Sequence, residues 1–156
     1  MSAKRKSPHR TVCVNRRARF DYEILDTVEA GIALAGSEVK ALREGKGNLT
    51  DAYVSLRDGR PVLLQMEISP YSHDRSGTLA TRRSRGLLLN ASEIGRLSAR
   101  VEEKGLVLVP LSVYFKGPWA KVEVGLGRSR RKGDKRQALR RREAERDIDR
   151  ALRRRR

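Results

Sequence analysis

Cys13 is the only cysteine in this 156-residue chain. A single thiol excludes an intrachain disulfide framework and any metal site built from several cysteines, and it fits a reducing, cytosolic setting. Cys13 itself reads as a small residue of an N-terminal arm rather than a catalytic nucleophile. Aromatic residues are scarce, at 4 %. No apolar run approaches the roughly 20 residues that a helical bilayer span needs, so a transmembrane helix is excluded. The start of the chain is basic, at Lys4, Arg5, Lys6 and Arg10. No apolar stretch follows it, and no secretory signal is expected.

Catalytic constellations are missing as well. There is no Gly-x-Ser-x-Gly, no Gly-rich loop to cradle phosphates and no His/Cys ligand cluster. Gly125 and Gly127 straddle Leu126 without the strand-to-helix Gly-x-Gly-x-x-Gly that a dinucleotide requires. His9 and His73 fall in a basic arm and a loop, where an imidazole is ordinarily solvated. Carboxylates are scattered singly, and Asp51 or Asp58 alone is not the converging set of a metal nuclease. The expectation is a non-enzyme with no cofactor and no metal.

Positive charge is in excess, and it is unevenly placed. Thirty-six Lys and Arg face 19 Asp and Glu, a net +17. Residues 1–19 hold seven basic residues and no acid, and residues 127–156 hold fifteen basic and five acidic ones. The 107 residues between them carry fourteen of each sign. A neutral stretch of that size can bury one core. The cationic ends cannot, and they should gain order only beside a polyanion. The division is a basic arm over 1–14, a folded domain over 15–126 and a basic tail over 127–156. A phosphate backbone is the commonest partner for such ends. An anionic membrane fits less well, because the tail offers only Leu139, Ile148 and Leu152 as large apolar residues for an amphipathic anchor.

Period-two hydrophobicity dominates the neutral part. Phe20, Tyr22, Ile24, Val28, Ala30, Ile32 and Leu34 share one parity, which predicts a strand over 20–34 with a bend near Asp26–Thr27 or Gly31. A short helix is predicted over 36–45, capped by Ser37 and ended by Gly45. Ala52, Val54 and Leu56, the pair Asp58-Gly59, and Val62, Leu64, Met66 and Ile68 predict a hairpin over 50–68. Residues 69–86, with Arg75, Arg82, Arg83 and Arg85, read as an exposed loop. Leu87-Leu88-Leu89 is a short strand. Asn90 and Glu93 cap a helix over 91–104 that Gly105 ends. Val107, Val109, Leu111, Val113 and Phe115 then alternate, as do Ala120, Val122, Val124 and Leu126, around a Gly117-Pro118 turn. The tail is rich in helix formers, with Ala144, Ile148, Ala151 and Leu152 on one stripe. Dense like charge predicts disorder when it is free and a helix beside phosphates. Five or six antiparallel strands with short helices make this a mainly β protein, a small oligonucleotide-binding (OB) type barrel.

Binding chemistry concentrates on a few residues. Arg16, Arg17 and Arg19 surround the entry to the first long strand, where guanidinium groups suit phosphates and bases. Lys121 and Glu29 sit between apolar neighbours and so face away from the core. A carboxylate on such a face accepts from base amino groups, which phosphate contacts cannot read. Tyr22 and Tyr53 are candidate stacking rings, with core packing favoured for Tyr22. Trp119 lies on the face of Lys121 and either stacks or covers an apolar rim.

Several runs resemble the bacterial SmpB, or SsrA-binding protein, family. They are Asn15-Arg16-Arg17-Ala18-Arg19, Glu29-Ala30-Gly31-Ile32-Ala33-Leu34, Ser37-Glu38-Val39-Lys40-Ala41-Leu42-Arg43 and Asn48-Leu49-Thr50-Asp51-Ala52-Tyr53. Ile68-Ser69-Pro70-Tyr71, Arg83-Ser84-Arg85-Gly86-Leu87-Leu88-Leu89, Leu108-Val109-Pro110-Leu111 and Asp134-Lys135-Arg136 continue the likeness in order. The resemblance implies a six-stranded antiparallel OB-like barrel with flanking helices. It implies a protein that binds the tRNA-like part of alanyl-tmRNA (SsrA RNA) and helps deliver it, with elongation factor Tu, to 70S ribosomes stalled on messages without a stop codon. It further implies that Asn15, Arg17, Arg19, Glu29, Leu88 and Lys121 bind RNA, and Arg16 is placed with them by its position in the arginine cluster alone. The tail, from Arg130, Arg131, Lys132, Asp134, Lys135 and Arg136 onward, is implied to enter the empty mRNA channel beyond the 30S decoding site. Ser129-Arg130-Arg131 stands where members commonly carry Gly-Lys-Lys, and Gly133 where many carry His or Tyr. The His-Asp-Pro segment of the family's long loop is absent from 72–82.

Two other classes remain for such a composition. One is a structural ribosomal protein whose basic extensions thread rRNA. The other is a nuclease, against which the neutral core and scattered carboxylates count.

Overall fold

The computed structural model describes residues 10–73, 79–130 and 132–154. Their elements run β1 (Arg10–Val14), α1 (Ala18–Asp21), β2 (Tyr22–Ile32), α2 (Gly36–Arg43), β3 (Gly47–Asn48), β4 (Tyr53–Arg57) and β5 (Arg60–Leu64). β6 (Glu67–Ile68), β7 (Arg85–Leu88), α3 (Ala91–Lys104), β8 (Val107–Lys116), β9 (Trp119–Ser129) and α4 (Lys132–Arg154) follow. His9, Arg75 and Arg131 lie outside the described residues, as do Lys4, Arg5 and Lys6.

Alternating side chains produce a closed sheet. Six antiparallel strands neighbour one another in the order β8, β4, β5, β7, β2, β9, and the long β8–β9 pairing closes the ring. The OB-like barrel that the alternation predicts is therefore present. β1 adds to the free side of β8, so the sheet takes in residues 10–14, which charge alone sets apart as an arm. β3 and β6 pair separately. The β4–β5 hairpin turns at Asp58 and Gly59, with φ of 51° and 72°. Two successive positive φ values suit the right-handed twist of the strands, which is why Asp-Gly occurs there.

The barrel interior holds Val28, Ala30, Ile32, Val54, Leu63, Leu87, Leu108, Val113, Val122 and Leu126, among others. A second, smaller cluster lies outside the ring, where Ala18, Val109 and Leu111 pack with Tyr22 and Ile24. Two bulges create it. β2 shifts register between Ile24 and Asp26, where the sequence predicts a bend, and β8 shifts between Pro110 and Ser112. Each bulge moves side chains of one parity to the other face. Val109 and Leu111 therefore leave the face of Val113 and Phe115, with which their parity groups them. Gly125 and Gly127 receive this outer cluster. A Cβ on Gly125 would stand 3.1 Å from Leu111 Cδ1 and 3.2 Å from Ile24 Cδ1.

The helix ends follow local hydrogen bonding. Asn90 Oδ1 accepts from the Glu93 N–H at 2.9 Å, and Gly105 closes α3 at φ 58°, as the sequence predicts. At α2 the cap is Ala35, not Ser37. Glu38 Oε1 accepts the Ala35 N–H at 3.0 Å, which places Ser37 inside the helix.

The arginine-rich loop departs furthest from expectation. Arg85 is completely buried rather than exposed. Its Nε donates to Glu38 Oε2 at 2.7 Å, Nη1 to Met66 O at 2.7 Å, and Nη2 to Thr81 O at 3.1 Å. Arg83 also pairs with Glu38. Burial opposes the Glu38 charge, but the Arg83 hydrogen bond, the Ala35 N–H and Arg85 outweigh it and hold the carboxyl below its ordinary pKa. A buried cation is tolerable only when its donors are paired, and each Arg85 nitrogen has an acceptor.

The tail is α-helical from Lys132 to Arg154, where like charge predicts disorder in the free chain. Interleaved acids explain this. Glu143, Glu145, Asp147 and Asp149 sit three or four residues from arginines along the helix, the spacing that offsets like-charge repulsion. One such pair is Asp147–Arg150 at 3.9 Å. Every described side chain from 140 to 153 is exposed, the Ile148 and Leu152 stripe included, so the tail adds nothing to the barrel core. No helix of the described residues is long and apolar enough to cross a membrane.

Candidate nucleic-acid interface

The strand pleat dictates which residues share the outside of the barrel. Val122 and Val124 are buried against Ala30, Val28 and Val113, so Lys121 and Glu123 face outward. Gly31 lies opposite Leu88 on one side and opposite Lys121 on the other, and Lys121 lies opposite Tyr114. These registers form a transverse row, Leu88–Gly31–Lys121–Tyr114, over four neighbouring strands. The next row is Glu29–Glu123–Ser112. The barrel thus gathers Glu29, Leu88 and Lys121 from three separate stretches of sequence. Leu88 is 65 % exposed and lies over the bare backbone of Gly31, where a Cβ would meet the Leu88 Cβ at 3.2 Å.

Glu29 is held on this face as an anion. It accepts the Tyr114 hydroxyl on one oxygen and Lys116 Nζ at 3.4 Å on the other. The Tyr114 hydrogen bond is the main reason its pKa falls below the ordinary value, against some desolvation and with help from Lys116 and Lys121. The same contact and burial raise the Tyr114 phenol, so it stays a donor. The site is a fixed carboxylate acceptor between two lysines beside an exposed leucine.

The N-terminal residues are arranged differently. Asn15 ties the turn after β1 to β8: its N–H donates to Leu111 O at 2.8 Å and its Nδ2 to Pro110 O at 3.0 Å. Its amide is therefore committed to the backbone. Arg16 and Arg19 line a groove of about 1120 Å³ between α1, the outer sheet and α4. Arg128, Arg130, Arg141 and Arg142 join them there, against Glu23, Glu123 and Glu145. Arg130 anchors the tail root through its N–H to Asp21 O at 2.9 Å. Its Nε is buried without a hydrogen-bond partner among the described residues. Arg17 is not brought to this groove. It caps α1, pairs with Asp21 at 4.0 Å and borders a second groove of about 680 Å³ with Asp51 and Tyr53.

Lys132, Asp134, Lys135 and Arg136 form the first turns of α4. Tyr22 packs in the outer cluster, whereas Tyr53 is exposed. His73 makes an edge contact with Tyr71, 5.3 Å between centroids. Cys13 is half-buried in β1, and burial pushes its thiol up to about 11. Among the described residues no group of His, Cys, Asp or Glu converges as a metal site. Tyr114, which holds the Glu29 carboxylate, is the residue of this face that sequence reasoning missed. Its only signal was an aromatic ring out of phase with Val113 and Phe115, which is where a polar contact from the outer face has to come from.

A family model described as SmpB protein matches residues 12–154. An SsrA-binding protein of Synechocystis is 50 % identical over 155 residues, covering 97 % of this chain and 99 % of the relative. An SsrA-binding protein of Chlorobaculum tepidum is 47 % identical over 150 residues, covering 95 % and 96 %. A solved chain described under "tmRNA-SmpB: a journey to the center of the bacterial ribosome" superposes with a TM-score of 0.65 at 47 % identity, covering 82 % of this chain and 94 % of that one.

Proposed function

The chain belongs to the SmpB family, and on that premise we propose that it binds tmRNA (SsrA RNA) and works with it on the bacterial ribosome to rescue stalled translation. SmpB proteins are RNA-binding proteins, not enzymes. The protein's work is recognition and placement. The barrel holds the tRNA-like part of alanyl-tmRNA, which brings elongation factor Tu with it. Glu29 accepts a base amino group, Lys121 neutralises phosphate and Leu88 supplies an apolar contact. Arg16 and Arg19 add phosphate contacts from the groove beside α1, Arg17 adds them from the other side of that helix, and Asn15 holds the turn that carries all three. The helix α4, with Lys132, Asp134, Lys135 and Arg136 in its first turns and Arg130 and Arg131 before it in the sequence, enters the empty mRNA channel past the 30S decoding site. The place of action is the cytoplasm.

One observation carries this reading: a neutral barrel presents an ionised carboxylate, a lysine and a bare leucine on one outer patch, while a separate cationic helix leaves from its end. The test is a titration of the full chain against tmRNA, with tRNA as competitor, at two salt concentrations. Tight binding that weakens steeply with salt, with tRNA competing poorly, is expected. Equal affinity for unrelated RNA would refute it.

A further inference from the structure

We propose that Trp119 is a nucleobase-stacking residue of the same outer face, placed so that one unpaired base of the bound RNA lies on its indole. The proposal rests on the RNA-binding reading of that face and adds a residue to it.

Trp119 opens β9 immediately after the Gly117-Pro118 turn and lies opposite Lys116. It precedes Lys121 by two positions, so both point outward. It is the chain's one tryptophan and, at 68 % exposure, the most exposed large apolar residue described. An indole on a solvent-facing strand leaves much apolar area in water, which marks a surface meant to be covered. Its neighbours decide what covers it. Lys116 lies across from it and Lys121 about 7 Å along the strand, with Glu29 beyond them. An apolar protein surface docking there would bury those charges. An unstacked base would not, because its ring covers the indole while its phosphates meet the lysines. Leu88, across Gly31 from Lys121, gives the patch a second apolar wall.

The chain reports on this directly, because all tryptophan emission comes from Trp119. Titration of the full chain with transcribed tmRNA should quench that emission, saturating at the stoichiometry found by filter binding. Trp119→Ala should weaken binding on the order of tenfold, and Trp119→Phe should keep it within about threefold, with unchanged circular dichroism in both. If Trp119→Ala unfolds, the quench and the Trp119→Phe affinity decide alone. RNA binding without quenching, or full affinity in a folded Trp119→Ala, overturns the proposal and leaves the RNA-binding reading standing. Loss of that reading itself would show as no binding by filter assay in the unmodified chain, and the proposal falls with it.

Discussion

Tyr114 on β8 reaches across β9 to hydrogen-bond Glu29 on β2. The contact bridges strands that are not neighbours at that point, and with Lys116 it fixes the carboxylate on an exposed pleat.

A pH signature follows. Glu29 sits below its ordinary 4.5, with Lys116 on β8 and Lys121 and Glu123 on β9 as the other charged groups around it. If the ionised form binds RNA, affinity should be flat from neutral pH down to about 5. Tyr114→Phe removes the main stabilising contact and lets the pKa rise, so the loss should begin at a higher pH than in the unmodified protein. Glu29→Gln should lose on the order of tenfold at every pH. Affinity titrations between pH 4.5 and 7.5 distinguish the three proteins.

The Glu38–Arg85 pair concerns stability. Arg85→Met leaves the Glu38 carboxylate with only Arg83 and the Ala35 N–H as partners and should cost about 3 kcal/mol in denaturant unfolding. Adding Glu38→Leu should not restore the loss, because Met66 O and Thr81 O still lack their donor. The sign with pH is fixed by the depressed Glu38 pKa. Its contribution is complete above the unfolded value near 4.5 and disappears as pH falls through the lower folded value. Acid unfolding of the unmodified protein should show this added slope, and Glu38→Gln should not.

The two glycines of β9 should differ in rescue. Gly125→Ala crowds only side chains, Leu111 and Ile24, whereas a Cβ on Gly127 meets the Glu23 carbonyl oxygen at 3.0 Å. Each should lower stability by about 1–3 kcal/mol. Ile24→Val should recover part of the loss in Gly125→Ala and little in Gly127→Ala. Thermal melts of the four proteins check this.

Removal of the tail separates its work from that of the barrel. A chain ending at Arg130 should keep its melting temperature within a few degrees and bind the tRNA-like part of tmRNA nearly as tightly. It should fail to tag peptides on stalled ribosomes. Normal tagging by that truncated chain would contradict the division of work.

Most of the barrel was legible because each strand alternates and each turn carries its own chemistry. The Asp58-Gly59 turn and the Asn90 cap on the Glu93 N–H acted through local bonds alone, and they formed as read. The cap of α2 and the helix of the tail departed through bonds three or four residues long, but the larger failures come from partners distant in sequence. Arg85 looked like a loop cation because nothing nearby announced Glu38, forty-seven residues earlier. Val109 and Leu111 looked like core because the bulge at Pro110 that turns them outward is set by pairing with β9. The site was legible in part for the same reason. Lys121 and Glu29 could be placed on an outer face from parity, but their meeting with Leu88 depends on the order of strands. Tyr114 could be found only once β2 and β8 were seen on either side of β9.

The root of the tail is held at a fixed point, where the Arg130 N–H is bound to Asp21 O, and α4 begins at Lys132. Its 23 residues make a rod of about 35 Å. A rod so mounted has a phase as well as a length. Each residue inserted near Gly133 would swing every arginine beyond it by about 100° while lengthening the rod by only about 1.5 Å. Two such insertions of uncharged residues would aim the tip's charges at the opposite wall of whatever tube receives it, with net charge untouched.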